Sequence, residues 1–247
     1  ALPRRYRRTR AVPIPGSRTR AFIFESEARP PVEAFTAIAT ASYCPRKLYY
    51  RRKHGDREPP ESVAAIRNLA FRYGELLDTA DLTAEPIGVP SADYRESLER
   101  TKRTTDRWAE LVDPAETRVY LEGKDANGVA HKLLSDPPTP VIVSPGEPPD
   151  RGVWRPQAVR ATAAAKALSW ERERQIEGPY VEYPAYGVVR QVRLTTRRKA
   201  AYRKALRAAE SLDGPPPRLG DDARCRSCEY RDECGARTRS LRSRLPL

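Results

Sequence analysis

The alternation of apolar and polar positions divides the chain into helices, then strands, then a mixture of both. Residues 31–41 place Val32, Phe35, Ile38 and Ala39 along one helical face. Pro45 opens a second helix running to about residue 52, because proline suits the first helical position. Over residues 61–80, Val63, Ile66, Ala70, Tyr73 and Leu77 recur at helical spacing and predict one long helix. A linker with Pro86, Gly88 and Pro90 follows, and Ser91 stands where a helix over residues 92–112 needs its cap. The apolar stripe of that helix is thin: Tyr94, Leu98, Trp108 and Leu111.

The period then shortens to that of strands. Residues 118–121 read as one strand, Asn127-Gly128 as a turn, and residues 129–134 as the returning arm of a hairpin. Residues 140–143 are short and wholly apolar, which predicts a central strand. A proline- and glycine-rich loop over residues 144–152 leads to Pro156, which begins an alanine-rich helix to about residue 174. Its run Ala163-Ala164-Ala165 allows close packing on a sheet. Strands over residues 180–183 and 188–194 follow, then a helix over residues 197–211 capped by Thr195 or Thr196. Pro215-Pro216-Pro217 ends the compact region. This order predicts an α/β domain framed by helices, residues 32–220. A basic arm with Arg4, Arg5, Arg7, Arg8 and Arg10 precedes it (residues 1–31), and a cysteine segment follows it (residues 221–247).

Composition narrows the choice of partner. The hydrophobic share is 39%, the charged share 32% and the mean hydropathy −0.72, which predicts a modest core under an extensive charged surface. The net charge is +13, favouring a polyanionic partner, nucleic acid before an anionic membrane. Arginine far outnumbers lysine and suits phosphate recognition through its planar fork, although a base composition rich in arginine codons gives the same excess. No apolar run reaches membrane-spanning length, and no apolar signal core follows the basic start. The expectation is a soluble cytoplasmic protein with no membrane partner.

Candidate chemistry concentrates in four cysteines. Three lie in Cys225-Arg-Ser-Cys228-Glu-Tyr-Arg-Asp-Glu-Cys234, and the fourth, Cys44, lies far upstream. Two cysteines separated by two residues can point both sulfurs at one metal. Three thiolates leave a four-coordinate centre one ligand short, and Cys44 is the remaining thiol. Spacing alone does not choose between zinc and an iron–sulfur cluster. Structural disulfides fit poorly without an export signal, and unrelated buried thiols are the plain alternative. Around Cys44, Arg46, Lys47, Arg51 and Arg52 interleave with Tyr43, Tyr49 and Tyr50. Cations for phosphates and rings for bases are what a single-strand surface needs; equally, the tyrosines can be core. Arg197 and Arg198 begin a second basic helix.

The stretch Ser42-Tyr43-Cys44-Pro45-Arg46-Lys47-Leu48-Tyr49-Tyr50, together with Cys225, Cys228 and Cys234, resembles the CRISPR-associated RecB-like exonuclease family, the fourth of the Cas proteins. The resemblance covers about residues 34–240 and points to a divergent branch. It implies a restriction-endonuclease-like PD-(D/E)XK core of order αβββαβ, with an iron–sulfur C-terminal segment. It further implies a four-iron, four-sulfur cluster on Cys44, Cys225, Cys228 and Cys234. The ligand it implies is DNA, single-stranded or with ends, in CRISPR adaptation or repair, with CRISPR integrase proteins as possible partners.

The family's catalytic motifs are not intact. Such nucleases hold Mg²⁺ or Mn²⁺ on carboxylates, with a lysine placed to help activate water. In Gly74-Glu-Leu-Leu-Asp78, Asp78 stands in the place of the family histidine. In Gly128-Val-Ala-His131, His131 stands in the place of the strand aspartate, and Asp125 is one residue short of that spacing. The Glu-x-Lys pair has no counterpart in Val141-Ile-Val-Ser144; Lys132, Asp136 and Glu147 are nearby but out of phase or in loops. Gln157 is kept, with Ala161 in place of the tyrosine. His131 also reads as an ordinary hydrogen-bonded strand residue. The leading expectation is an iron–sulfur DNA-binding protein with a degenerate site. An active nuclease using Asp78, Asp125 or His131 and Glu147 is one alternative. A zinc-stapled protein-interaction module is the other.

Overall fold

The computed structural model describes residues 32–55, 58–220 and 222–235. The arginine-rich arm lies outside the described residues. In chain order the elements are β1 (Glu33–Ala34), α1 (Phe35–Tyr43), α2 (Pro45–His54), α3 (Glu61–Leu69), α4 (Tyr73–Asp78), α5 (Ser91–Thr104) and α6 (Trp108–Val112). Then come β2 (Glu116–Glu122), β3 (Ala126–Leu134), β4 (Thr139–Val143), α7 (Arg155–Glu171), β5 (Tyr180–Tyr183), β6 (Val188–Gln191), α8 (Thr196–Glu210) and α9 (Asp222–Arg226). The fold is mixed α/β with a mixed sheet. The strands β2, β3 and β4 form an antiparallel meander. After the α7 crossover β5 joins parallel to β4, and β6 pairs antiparallel with β5. The two residues of β1 pair parallel with the start of β3.

The alanine run of α7 does what its composition predicts. Ala161, Ala163, Ala164 and Ala167 are buried on several sides of the helix, so α7 lies inside the molecule with α1 and α8 packed against it. Small side chains allow that approach: a Cβ on Gly123, in the β2–β3 turn, would meet the Ala167 backbone at 2.8 Å. The strand Thr139–Val143 is buried at every position, as its unbroken apolar run predicts. Thr195 caps α8 by accepting from the Arg198 N–H at 3.3 Å.

Several elements differ from the expectation. The hairpin turn is Gly123-Lys124-Asp125, and Asn127-Gly128 lies within β3, paired with Glu122 and Leu121. Gly128 has φ +147, and a Cβ there would strike the Phe35 ring at 2.7 Å, so its glycine serves packing rather than a turn. The helix expected over residues 61–80 is two helices, and that over 92–112 is also two. Ser91 is the first residue of α5, not its cap, which is Pro90 without a side-chain bond.

The first of these breaks, and the end of α6, involve one buried residue. Lys132 of β3 is fully buried, and its Nζ donates to Ala70 O, just after α3, at 2.5 Å. It also donates to Leu111 O, near the end of α6, at 2.6 Å. Helix ends leave carbonyls without partners, and an ammonium is a strong donor for them. A third contact, at 3.0 Å, goes to the equally buried carboxylate of Glu182 on β5, which Tyr73 O–H also approaches. Two helix ends and two strands therefore meet on one ion pair.

Candidate functional site

The cations of α8 and the start of α7 face each other across an open groove of about 740 Å³. Its lining includes Arg155 from α7, Arg193 and Thr195 from the β6–α8 link, and Arg197, Arg198 and Lys204 from α8. Apolar positions of both helices, such as Val159 and Ala201, form the rest. None of its lining residues is acidic. Arg155, Arg193, Arg197 and Lys204 are exposed. The Arg198 guanidinium donates to Arg193 O at 2.9 Å, which orders the groove wall. The local cause is helical: positions 197, 198 and 204 fall where α8 turns its polar flank toward α7 once Tyr202, Ala205 and Leu206 are buried.

The basic and aromatic residues of α2 are engaged inside the molecule. Arg52 Nη2 donates to both carboxylate oxygens of Glu33 at 2.6 and 2.8 Å, and Nη1 donates to Ala209 O at 2.8 Å. Arg51 donates to Thr40 Oγ1 at 3.1 Å. Arg46 donates to Pro216 O at 2.8 Å, and Lys47 pairs with Glu229 at 3.1 Å. Tyr49 meets Tyr50 edge-on, and buried Tyr50 stacks on Tyr230. His54 stacks on the same Tyr230 ring, and with Lys53 holds Glu233 at 2.6 Å.

These contacts dock the cysteine segment on α2. Cys44 is the extended residue between α1 and α2, with Pro45 at the first helical position. Arg224 donates to Tyr43 O at 3.0 Å, so the residues next to Cys44 and next to Cys225 touch. Glu229, beside Cys228, reaches Lys47. Burial pulls the Arg46 guanidinium pKa down, but Tyr50 and then Cys234 beside it raise it by more. The four cysteines are half-buried and form no disulfide with one another. Their segments share one end of the fold. Among the described residues, however, no three His, Cys, Asp or Glu side chains are gathered to hold a metal ion. The fit of a four-thiolate centre is thus met by the docking of the segments and not by the arrangement of the sulfurs.

The candidate catalytic residues are dispersed. Asp78 ends α4 and is exposed. Asp125 is in the β2–β3 turn, just before β3 and six residues ahead of His131, a separation of about 20 Å along extended chain. Glu147 is exposed in the β4–α7 loop, where its carbonyl accepts from Trp154 Nε1 at 2.9 Å. Gln157 Nε2 donates to Ser144 Oγ at 3.3 Å.

His131 sits where the ladder opens. The β3–β4 pairing runs only from Leu134 to Lys132, and the Val143 N–H beyond it donates to His131 Nδ1 at 3.1 Å. On the other side, Arg118 of β2 has φ +54 and no ladder partner, between Thr117 and Val119, which do. Burial, followed by the charges of Arg160, Arg67, Lys132 and Arg118, pushes the His131 pKa down to about 3. The imidazole is therefore neutral, with its proton on Nε2.

Two groups here went unread in the sequence. Glu182 was hidden as the one charge inside Tyr180-Val-Glu-Tyr183, and Arg160 as a long cation in an alanine-rich helix. Each was visible as a charge on a face that must be buried. No protein-family model matches the chain, and no curated protein is significantly similar to it. Among the described residues no helix is long and apolar enough to cross a membrane.

Proposed function

We propose that this is a nucleic-acid-binding protein that holds single strands or strand ends in the α7–α8 groove without cutting them. The observation that carries the reading is the groove itself, with five cations and no acidic residue in its lining. A net charge of +13 agrees with a polyanionic ligand. The meander followed by a helical crossover to a parallel strand is also what a PD-(D/E)XK core would need, which supports the resemblance carried by the cysteine segments. In this reading Arg197 and Arg198 grip phosphates, while Lys47 and Lys53 of α2 hold the cysteine tail and Arg51 and Arg52 brace α1, Glu33 and α8. Asp78, Asp125, His131 and Glu147 are too scattered to share one or two divalent ions, so binding without cleavage is the favoured activity. An iron–sulfur cluster, or zinc, on Cys44, Cys225, Cys228 and Cys234 remains part of the proposal. It requires the tail to repack locally on a face where it is already docked.

The test is the salt dependence of binding to a labelled single-stranded oligonucleotide. The combined variant Arg155→Gln, Arg197→Gln, Lys204→Gln removes three exposed cations. The slope of log affinity against log salt should become shallower by about 2, at about 0.7 per lost phosphate contact on a single strand. In Mg²⁺ or Mn²⁺ the strand should remain full length. An unchanged slope and affinity in the triple variant would reject the groove. Shortening of the strand, lost in Asp78→Ala and Asp125→Ala, would restore the nuclease reading.

A further inference from the structure

We propose that α8 carries a second phosphate track on its outer face, so that a bound strand passes over the helix from the α7–α8 groove into a further cavity instead of ending in the groove. This rests on the groove reading and extends it. The further cavity, of about 260 Å³, flanks α8 on its other side. Lys199, Tyr202 and Arg203 of α8 line it, with Lys166 of α7 and Glu177 of the α7–β5 link. Arg198 and Lys204 line the groove, whereas Lys199 and Arg203, their immediate neighbours in the chain, line the further cavity. At 3.6 residues per turn such neighbours stand about 100° apart around the helix. The buried positions Tyr202, Ala205, Leu206 and Ala209 fix which side of α8 faces inward. Ala200, Arg203, Lys204 and Arg207 lie on the side away from them and are exposed. The outer face of α8 therefore joins the groove to the further cavity, with cations along the crossing and a small alanine at Ala200.

The charges of α8 work against the helix that carries them. Lys199, Arg203 and Arg207 recur at four-residue spacing, where like charges repel. The first turn holds Arg197, Arg198 and Lys199 and no acidic residue, the sign opposed to the helix dipole. Among the described residues no carboxylate forms an ion pair with a cation of α8. Helix α5, of similar length, is built the other way: Arg100 pairs with Glu96 and Arg103 with Glu99, each one turn apart. A face that only needed water would be served by the α5 pattern. In the further cavity Lys166 Nζ is held over the Tyr202 ring, 5.6 Å from its centroid. The one acid of that lining, Glu177, meets three cations. A polyanion laid across α8 offsets the repulsion along the whole stripe, which a phosphate confined to the groove does not.

The test compares labelled single strands of about 4 and about 16 nucleotides, the range that single-strand sites cover. The full chain with Lys166→Gln, Lys199→Gln and Arg203→Gln should bind the short strand as wild type does. It should bind the long strand on the order of tenfold more weakly, with a salt slope shallower by about 2. Without nucleic acid it should melt at the same or a higher temperature than wild type, because repulsion on α8 is relieved. The variant Arg100→Gln, Lys102→Gln, Arg103→Gln makes the same change of net charge on α5 and should leave the long strand's salt slope unaltered. The groove variant Arg155→Gln, Arg197→Gln, Lys204→Gln should weaken both lengths. Long-strand binding unchanged in the α8 variant, while the groove variant loses both lengths, would overturn the track and leave the groove standing. Equal losses at both lengths in the α8 variant, or an equal loss in the α5 variant, would also overturn it, since the cations would then act through net charge alone. A groove variant that binds both lengths as wild type does would remove the groove reading, and the track with it.

Discussion

His131 shows what one half-buried ring can impose on a whole protein. It is neutral in the fold, with a pKa of about 3 against an ordinary 6.5. The unfolded chain takes up a proton below pH 6.5, and the folded chain does not until pH approaches 3. Stability from this group is therefore complete above pH 6.5 and falls as pH drops through that window. Each pH unit inside it costs about 1.4 kcal/mol at most. Urea unfolding between pH 6.5 and about 5, above the carboxylate range, isolates the effect. His131→Gln keeps an acceptor for the Val143 N–H and should flatten the slope there; an equally steep slope in the variant would remove His131 as its source. The sequence named this residue as the occupant of a motif position. It could not show that the neighbours are arginines rather than carboxylates, because Arg67 and Arg160 come from helices on either side of the sheet strands in chain order.

At the scale of elements, the Lys132–Glu182 pair joins β3 to β5 and catches the ends of α3 and α6. Burial lowers the lysine pKa and raises that of the glutamate, each opposed by the other's charge. Lys132→Met leaves the carboxylate and two helix-end carbonyls unpaired, and should cost about 3–5 kcal/mol in denaturant unfolding. The double variant Lys132→Met, Glu182→Leu should recover part of that loss, since the isolated carboxylate goes as well. A double variant no more stable than the single would contradict a charge-based cost. This pair also explains why helical periodicity alone overran the break between α3 and α4. Val63 to Leu77 keeps its spacing across Ala70-Phe71-Arg72, but a buried ammonium takes the Ala70 carbonyl. Local pattern carries the faces of helices well, and their ends only where a cap or proline lies in the same stretch, as at Pro45 and Thr195.

At the scale of the whole molecule, residues 224–234 dock onto α2, far earlier in the chain. Tyr50, Tyr230, Arg46, Lys47 and Glu233 make that joint. If thiolates close it around metal, protein prepared without oxygen should contain iron with sulfide, or zinc. Cys44→Ser should lower the metal content and the melting temperature together. Protein free of both metals would leave the joint to aromatic stacking and ion pairs alone. By itself the sequence determined the elements whose pattern is complete within a few turns: the alanine helix, the apolar strand β4, the basic helix α8, and the spacing of the cysteines. Tertiary structure decided which charges acquire partners. Arginines that look alike in the chain become a helix clamp at Arg52, a groove wall at Arg197 and an orphan at Arg160. Charge is encoded locally, but its compensation depends on what distant segments bring within a few ångströms.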